Sequence, residues 1–260
     1  MESHRTAVGL EATQLDTNEY EHLQIGRVLN TSVHPIDDLV RGFRSSKVAL
    51  FEGDSGYASS LLHLLCVKAV SEFDEEVVWI DGGNSVDPYA LSALCKRMRL
   101  DRRDVLSRVN ISRAFTAYQL VTLIDERLEE AVRESSPAMV VVSSLTDMFL
   151  DKDMKWMEAY QLLRRCAEDI RRVTRAYETI SFVTDRTPGH APHNERMASL
   201  LRSEADLLVS MRERRGGVTV RLPREGRSAV FRPVPWNQTT LPEFREDAYG
   251  EDGTDIQAGP

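Results

Sequence analysis

The sequence is poor in lysine and cysteine and has no long hydrophobic run. No apolar stretch approaches the roughly 20 residues of a membrane-spanning helix, and the first residues lack the apolar region of a signal peptide, so we expect neither membrane contact nor export. The three cysteines stand far apart without metal-ligand spacing, and their odd number argues against a disulfide framework. We therefore expect a cytoplasmic protein with reduced cysteines. Only five lysines accompany 28 arginines, a bias that we attribute to genome composition.

The composition is that of a globular protein with an acidic excess. The chain has 260 residues, 42% of them hydrophobic and 28% charged, which is enough to bury a substantial core. The net charge is -8, and residues 241–260 alone carry six acids and one arginine. An acidic total argues against indiscriminate binding of nucleic acid, although it permits local basic patches.

Short β-branched runs alternate with helical patterns through most of the chain. This alternation predicts βαβ units and a mostly parallel sheet covered by helices on both faces. After about residue 205 the pattern changes to short strands separated by turns, which predicts antiparallel strands at the C-terminal edge of the sheet. The predicted parallel strands are 47–52, 76–81, 109–114, 138–144 and 179–185, and the predicted helices are 57–72, 87–98, 118–133 and 155–177.

We divide the chain into one core and two end segments. Residues 1–22 are polar and without periodicity, and we expect a flexible N-terminal arm. Residues 23–237 form the predicted α/β core. Residues 238–260 are acidic and too poor in apolar side chains to pack, so we expect a disordered tail.

A loop between the first long strand and the following helix has the position of a phosphate-binding P-loop. The sequence GDSGYASS (53–60) has the length of the pattern G-x-x-x-x-G-K-[ST], in which backbone N–H groups surround phosphate. The second required glycine is replaced by Ala58 and the lysine by Ser59, whereas the Ser60 hydroxyl is retained. As a pattern alone this is weak, because strand–turn–helix joints with glycines are common in α/β proteins.

Five ordered blocks of the sequence resemble the RecA/RadA recombinase family. The resemblance covers about residues 24–236, and the order of the blocks makes it more specific than any one of them. It implies a RecA-type core. The blocks are TSVHPIDDL (31–39), IDGGNSVDP (80–88), LDRRDVL with ISRAF (100–115), VVVSSLT (140–146) and FVTDR (182–186).

The sequence departs from this family at the positions that carry its chemistry. The resemblance places the P-loop lysine at Ser59, the catalytic glutamate at Gly83 and the Mg²⁺-binding aspartate at Ser143. It places the Asn-Gln pair, similar to a γ-phosphate sensor, at Asp185 and Arg186. Because phosphoryl transfer depends on positioning and electrostatics, we expect no ATP hydrolysis. The degenerate nucleotide-binding loop comprises Gly53, Asp54, Ser55, Gly56, Ala58, Ser59 and Ser60.

The two loops that contact single-stranded DNA in this family are also altered. The first, at 147–156, lacks the expected glycines and basic residues, and the second, between 184 and about 202, is predicted to be a contracted loop. His190 and His193 in the second loop have no third ligand nearby, so we expect no metal site.

An arginine cluster near the C-terminus is a candidate DNA-binding surface. Residues 211–232 hold seven arginines against two glutamates, a local net charge of +5. On antiparallel strands they could form a ridge that contacts phosphates; the alternative is a solvated hairpin in an arginine-rich protein. The candidate DNA-binding residues are Arg212, Arg214, Arg215, Arg224 and Arg227.

These observations favour a pseudo-ATPase over an enzyme. We expect a RecA/RadA paralogue that acts as an accessory or regulatory factor in homologous recombination and DNA repair. Its expected partners are a RadA-type recombinase or another paralogue, with single-stranded DNA as a further candidate; we expect no cofactor, or ATP and Mg²⁺ bound weakly at most. Two alternatives remain open: a KaiC-like signalling module that binds proteins, and an ATP-binding protein with a non-standard P-loop.

Overall fold

The computed structural model describes residues 26–53, 56–150, 153–186, 192–215 and 217–233. The predicted N-terminal arm, the predicted acidic tail, Asp54, Ser55 and His190 lie outside these residues. Within them, no helix is long and apolar enough to cross a bilayer.

The core is an eight-stranded sheet with the order β10-β9-β8-β3-β7-β6-β4-β5. The strands from β8 to β5 in this order run parallel, and β8, β9 and β10 are joined by antiparallel pairing. A separate antiparallel pair is formed by β1 (Val28–Leu29) and β2 (Phe43–Arg44). The strands of the main sheet are β3 (Lys47–Glu52), β4 (Val77–Asp81), β5 (Val109–Arg113), β6 (Met139–Ser143), β7 (Ile180–Asp185), β8 (Leu207–Arg214), β9 (Gly217–Leu222) and β10 (Arg227–Phe231).

Helices cover both faces of this sheet and create two hydrophobic layers. One layer contains buried residues of α1 to α4 and the other contains those of α5 to α8. The helices are α1 (His34–Val40), α2 (Gly56–Phe73), α3 (Pro88–Arg97), α4 (Arg102–Ser107), α5 (Ala117–Thr122), α6 (Leu128–Ser135), α7 (Trp156–Ala176) and α8 (Pro192–Glu204), with a π-helical turn (Leu123–Arg127) and a 3₁₀ turn (Asp147–Leu150).

Several helices begin where the sequence supplies a capping side chain. The carboxylate of Asp87 accepts a hydrogen bond from the Tyr89 N–H at the start of α3, and Pro88 occupies the first helical position. The Thr116 hydroxyl similarly accepts from the Gln119 N–H at the start of α5. Such caps satisfy amide groups that have no partner within the helix.

The structure confirms the predicted fold class and corrects one prediction about its C-terminal half. The mostly parallel sheet, the helices on both faces and the antiparallel strands at one edge are all present. The segment 184–202, however, was expected to be a loop, and most of it forms α8. The reason is an apolar stripe, Met197, Leu200 and Leu201, which packs on the sheet between β3 and β8.

Candidate functional site

The candidate site lies at the carboxyl edge of the central parallel strands. The loop that begins at Gly53 follows β3, and Asp81, Ser143 and Asp185 are the last residues of β4, β6 and β7. Parallel pairing sets Asp81 level with Ser143, and Glu52 level with Asp185. The positions that the sequence singled out are therefore brought to one edge of the sheet, where ligands bind in open α/β folds.

Gly53 is required by the backbone conformation and by close packing. Its φ is +137°, and a Cβ there would lie 3.0 Å from the carbonyl carbon of Met211 on β8. The Gly53 N–H donates to the Asp185 carbonyl oxygen at 3.2 Å. The glycine at this position is thus explained by contact with the neighbouring strands, without a phosphate.

Asp81 is the centre of a buried hydrogen-bond network. Its side chain is 0% exposed. Its Oδ1 accepts from the Gly83 and Ser85 N–H groups (3.3 and 2.9 Å), the Ser85 hydroxyl (3.0 Å) and the Ser143 hydroxyl (2.9 Å). Its Oδ2 accepts from the Val86 N–H (3.2 Å) and from Arg113 Nε (3.4 Å). Burial raises the pKa of Asp81, but the hydrogen bonds from Ser85, Val86 and Ser143 outweigh it and hold the pKa below its usual range.

Ser143 connects this network to the hydrophobic core. Its Oγ lies 3.2 Å from Trp79 Nε1, which donates to it, and 2.9 Å from the Ser85 hydroxyl. The side chain that the sequence resemblance places at the metal-binding position therefore donates its hydroxyl to Asp81 and accepts from a buried indole.

The Gly82-Gly83 segment passes close to the end of β6. A Cβ on Gly83 would lie 2.6 Å from Ser144 Cβ, and one on Gly82 would lie 2.9 Å from the Ser143 carbonyl oxygen. Ser144 itself has a left-handed φ of 55°. A glutamate at position 83 does not fit beside the present Ser144 side chain.

Two further hydrogen bonds tie α2 to the segment that follows Asp81. The hydroxyl of Ser59, which the sequence resemblance places at the P-loop lysine, donates to the Ser85 carbonyl oxygen at 3.2 Å. The buried His63 ring interacts through Nδ1 with the Ser59 carbonyl oxygen at 2.6 Å, and its Nε2 accepts from the Asp87 N–H at 2.8 Å. These contacts require the neutral ring with its proton on Nδ1. Burial likewise lowers the pKa of His63.

The other described residues of the degenerate nucleotide-binding loop also make contacts within the protein. Gly56 begins α2, and the Ser60 hydroxyl donates to its carbonyl oxygen at 3.2 Å. Ala58 is buried in the layer beneath α2. The hydroxyl groups of this helix start are therefore engaged within the protein.

Asp185 lies in a second cluster with a different character. It is 2% exposed; its Oδ1 accepts from the Thr146 hydroxyl, and its Oδ2 has no hydrogen-bond partner among the described residues. The pKa of Asp185 is raised to about 7. Burial is the largest cause, and the negative charges of Glu52 and Asp147 act in the same direction, whereas the Thr146 hydrogen bond lowers the pKa. Arg202 Nε donates to Glu52 Oε1 at 2.6 Å and offsets part of this negative charge.

The structure divides the candidate DNA-binding arginines into two groups. The Arg224 guanidinium donates to the carbonyl oxygens of Ala205 (2.8 Å) and Asp206 (3.3 Å) and to that of Arg202, at the C-terminal end of α8. Arg227 donates to the Asp38 carbonyl oxygen at 3.1 Å. The other three, Arg212, Arg214 and Arg215, are exposed on β8 and the turn after it. Arg224 and Arg227 thus have structural contacts, and DNA contact by the others stays a prediction.

Of the two histidines weighed as metal ligands, only His193 lies among the described residues. The His193 ring packs against Trp156 with a centroid distance of 4.5 Å. Among the described residues, no group of three or more His, Cys, Asp or Glu side chains is arranged to hold a metal ion.

Sequence reasoning missed residues that form the hydrogen bonds around Ser59, Gly83 and Ser143, and the assignment of these three positions to lost catalytic groups stays a prediction. Asp81, Ser85 and His63 were not singled out. One signal was available for Asp81, because an aspartate that ends a buried strand before Gly-Gly-Asn-Ser commonly accepts hydrogen bonds from the next backbone N–H groups. His63 offered no such signal, since its partner at Asp87 lies across a tertiary contact.

Comparison with known families agrees with this arrangement of strands and loops. The family model described as Rad51 matches residues 27–186, which is more than half of the chain. The match contains every strand of the candidate site and ends where β7 leaves the sheet.

Proposed function

Because the chain belongs to the Rad51 family, we propose that it is a non-catalytic member that acts as an accessory factor in recombinational DNA repair. The protein would bind a recombinase or another member of the family and would not itself hydrolyse ATP. The observation that carries this proposal is the hydrogen-bond network centred on Asp81, which uses the groups at three catalytic positions for internal contacts.

We propose that neither Asp81 nor Asp185 serves as a Mg²⁺ ligand at this edge of the sheet. A metal-bound carboxylate must be deprotonated and must have an oxygen available. Both oxygens of Asp81 accept hydrogen bonds, and the pKa of Asp185 is raised to about 7. The Ser59 and Ser60 hydroxyls donate to carbonyl oxygens of the protein. These contacts argue against the alternative of ATP binding through a non-standard P-loop.

The outer strand β5 supports a role in partner binding. It pairs only with β4 in the described sheet, so its other edge presents unpaired backbone groups. Exposed hydrophobic side chains lie beside it: Ile111 on the strand, and Phe115 and Tyr118, which are 75% and 57% exposed, just after it. An open strand edge with neighbouring apolar side chains is suited to strand addition by another protein.

The catalytic half of the proposal is tested by ATP hydrolysis. We expect no turnover by the purified protein with Mg²⁺ and single-stranded DNA, and no rescue by Ser59→Lys alone, because the metal ligand and the glutamate are still missing. Phosphate release is the measurement, with an active recombinase as positive control. Turnover by the unmodified protein near 1 s⁻¹, roughly the low end of common enzyme rates, would contradict the proposal.

Nucleotide binding separates the proposal from the non-standard P-loop alternative. A ligand present at 100 times its Kd stabilises a fold by about 2.7 kcal/mol. We expect no change in the melting temperature with micromolar ATP and Mg²⁺. A clear upward shift would favour an ATP-binding protein.

The partner-binding half is tested by pull-down with a purified RadA-type recombinase. We expect the wild type to retain the recombinase, and the double variant Phe115→Ala, Tyr118→Ala to lose at least tenfold in affinity. Tyr89→Ala is the matched control, because Tyr89 is an exposed aromatic residue on α3 and belongs neither to β5 nor to the segment that follows it. Failure of the wild type to bind any recombinase or paralogue would favour the signalling alternative.

A further inference from the structure

The antiparallel extension formed by β8, β9 and β10 has two unlike faces. Side chains alternate along these strands, and one set packs into the core layer beneath α1 and α2: Met211, Val218, Val220 and Leu222, with Ala229 and Phe231 partly buried beside them. This face explains why the strands fold onto the end of the parallel sheet.

The opposite face of the same strands is basic and open to solvent. Register places Ser210 beside Arg221, and Arg212 beside Thr219, so the side chains of Arg212, Arg214 and Arg221 share this face. All three arginines are exposed. Val230 on β10 pairs with Thr219 on β9, and its side chain is 68% exposed on the same face. The helices α7 and α8, which cover this side of the sheet, pack over β3 and the first half of β8.

The three arginines have no acidic partner within the described structure. None of them takes part in an ion pair of the described residues, in contrast to Arg202, which pairs with Glu52 and Glu195. The nearest acid on their own strand, Glu213, alternates with them and points to the other face. Within the described residues, the positive charge of this face is therefore not neutralised by ion pairs.

The spacing of these charges makes them repel one another. Arg212 and Arg214 are two residues apart on one strand, about 7 Å, and Arg221 is the diagonal cross-strand neighbour of Arg212, at about 7–8 Å. These separations are within the Debye length of roughly 8 Å at physiological salt. An anion that contacts all three arginines would remove this repulsion, and an extended polyanion fits a flat face better than a compact ion does.

We propose that the face carrying Arg212, Arg214 and Arg221 binds the phosphodiester backbone of nucleic acid without regard to base sequence. The guanidinium group suits this role because its planar array of donors matches phosphate oxygens. The set differs from the one that sequence suggested: Arg221 joins it, whereas Arg224 and Arg227 are held by carbonyl oxygens of the protein. The face also lies beyond residue 186, where the family match ends.

The test measures how binding to DNA depends on salt. The full chain is titrated against fluorescein-labelled single-stranded DNA of mixed sequence, and anisotropy is followed across a KCl series. Each contact on a single strand contributes about -0.7 to the slope of log K against log salt, so three contacts predict about -2. The triple Arg→Ala variant at these positions should lose most of that slope, and the triple Arg→Lys variant should keep it.

A matched control removes the same charge elsewhere. Replacement of Arg103, Arg127 and Arg164 by alanine, all on exposed helix surfaces, should leave the slope unchanged. Because the replaced side chains are exposed, melting curves should match the wild type; if the alanine variant loses its cooperative transition, Arg→Gln at the same positions is used for the comparison.

Three results would overturn the proposal: no salt-dependent binding by the wild type, equal slopes for the face variant and the control, or affinity that changes with base sequence, since backbone contacts carry no base information. A duplex of the same sequence shows which form is preferred, its expected slope being about -0.9 per contact. This proposal deepens the repair role proposed above, but its outcome is independent of ATP hydrolysis. A failure here would leave the ATPase and pull-down results intact.

Discussion

Asp81 and Asp185 end two parallel strands at the same edge of the sheet, with β6 between them, and both are buried. Asp81 accepts six hydrogen bonds, and its pKa lies below the usual range. Asp185 accepts one from Thr146, leaves Oδ2 without a partner and lies beside Glu52, so its pKa is raised to about 7. The surroundings, and not the residue type, decide which buried carboxyl is an anion.

We propose that the two aspartates are also unsuited to Mg²⁺, for opposite reasons. Asp81 is charged but its oxygens already have donors, whereas Asp185 has an open oxygen but binds a proton near neutral pH. Restoring one catalytic side chain would correct neither condition. The contrast therefore supports the proposal that the loss of catalysis is distributed over the whole edge of the sheet.

The largest effect is expected from Asp81→Asn. The amide removes the negative charge and turns one acceptor into a donor that faces N–H groups, which leaves several buried donors without a partner. Breaking a buried charged network costs about 3–5 kcal/mol, so we expect a loss of that size in the free energy of unfolding. Urea denaturation at pH 7 is the measurement, and Asp38→Asn on the exposed face of α1 is the control. A loss under about 1 kcal/mol would mean that the network contributes little.

The second prediction is that Asp185→Asn stabilises the protein in alkaline solution. An unfolded aspartate loses its proton near pH 3.8, whereas folded Asp185 does so at about pH 7. Between these values the folded state binds more protons, so stability falls as pH rises and levels off above 7. At 1.36 kcal/mol per pKa unit the fall is roughly 2–4 kcal/mol. The Asp185→Asn variant should not show this fall in the free energy of unfolding.

The measurement is the free energy of unfolding at intervals from pH 5 to pH 8.5. The wild-type curve should decline relative to that of Asp185→Asn as the pH rises, and the gap between the two should narrow toward pH 5. Glu134→Gln, at an exposed position of α6, serves as control for the pH series and should run parallel to the wild type. Parallel curves for the Asp185 variant would show that the carboxyl is ionised throughout.

Sequence reasoning predicted those parts of the fold that depend on local pattern. The run Met139–Ser143 is apolar and β-branched between turn residues, and it forms a strand. Sequence reasoning missed helix α8 because it predicted that the loop containing Thr-Pro-Gly continues to about residue 202. The apolar spacing of Met197, Leu200 and Leu201 was a sufficient signal, and the expectation of a family loop overrode it.

Sequence reasoning predicted where the candidate site lies but not how its residues interact. Gly53 and Ser143 were correctly placed at strand ends. The hydrogen bond from Ser143 to Asp81, however, joins residues 62 positions apart, and it follows from the register of β4 and β6. The contact of Arg224 with the end of α8 also depends on tertiary packing, which no local pattern encodes.

The smallest effect, and the sharpest test of the contrast, comes from removing one hydroxyl donor beside each aspartate. Ser143→Ala takes one of six donors from Asp81 and leaves the Trp79 N–H without its acceptor. We expect a loss of about 1 kcal/mol in the free energy of unfolding. Because Asp81 stays ionised, this loss should be constant from pH 5 to pH 8.

Thr146→Val removes the one side-chain donor that Asp185 has among the described residues, and the valine keeps the shape of the threonine. A hydrogen bond to a charged acceptor is worth about 1.5–3 kcal/mol and one to a neutral acceptor about 0.5–1.5 kcal/mol. The loss should therefore grow by roughly 1 kcal/mol as Asp185 ionises above pH 7, and the pKa of Asp185 should rise further. Paired urea titrations at pH 5 and pH 8 distinguish the two variants. Equal pH dependence would mean that the two aspartates share one charge state, and the comparison between them would fail.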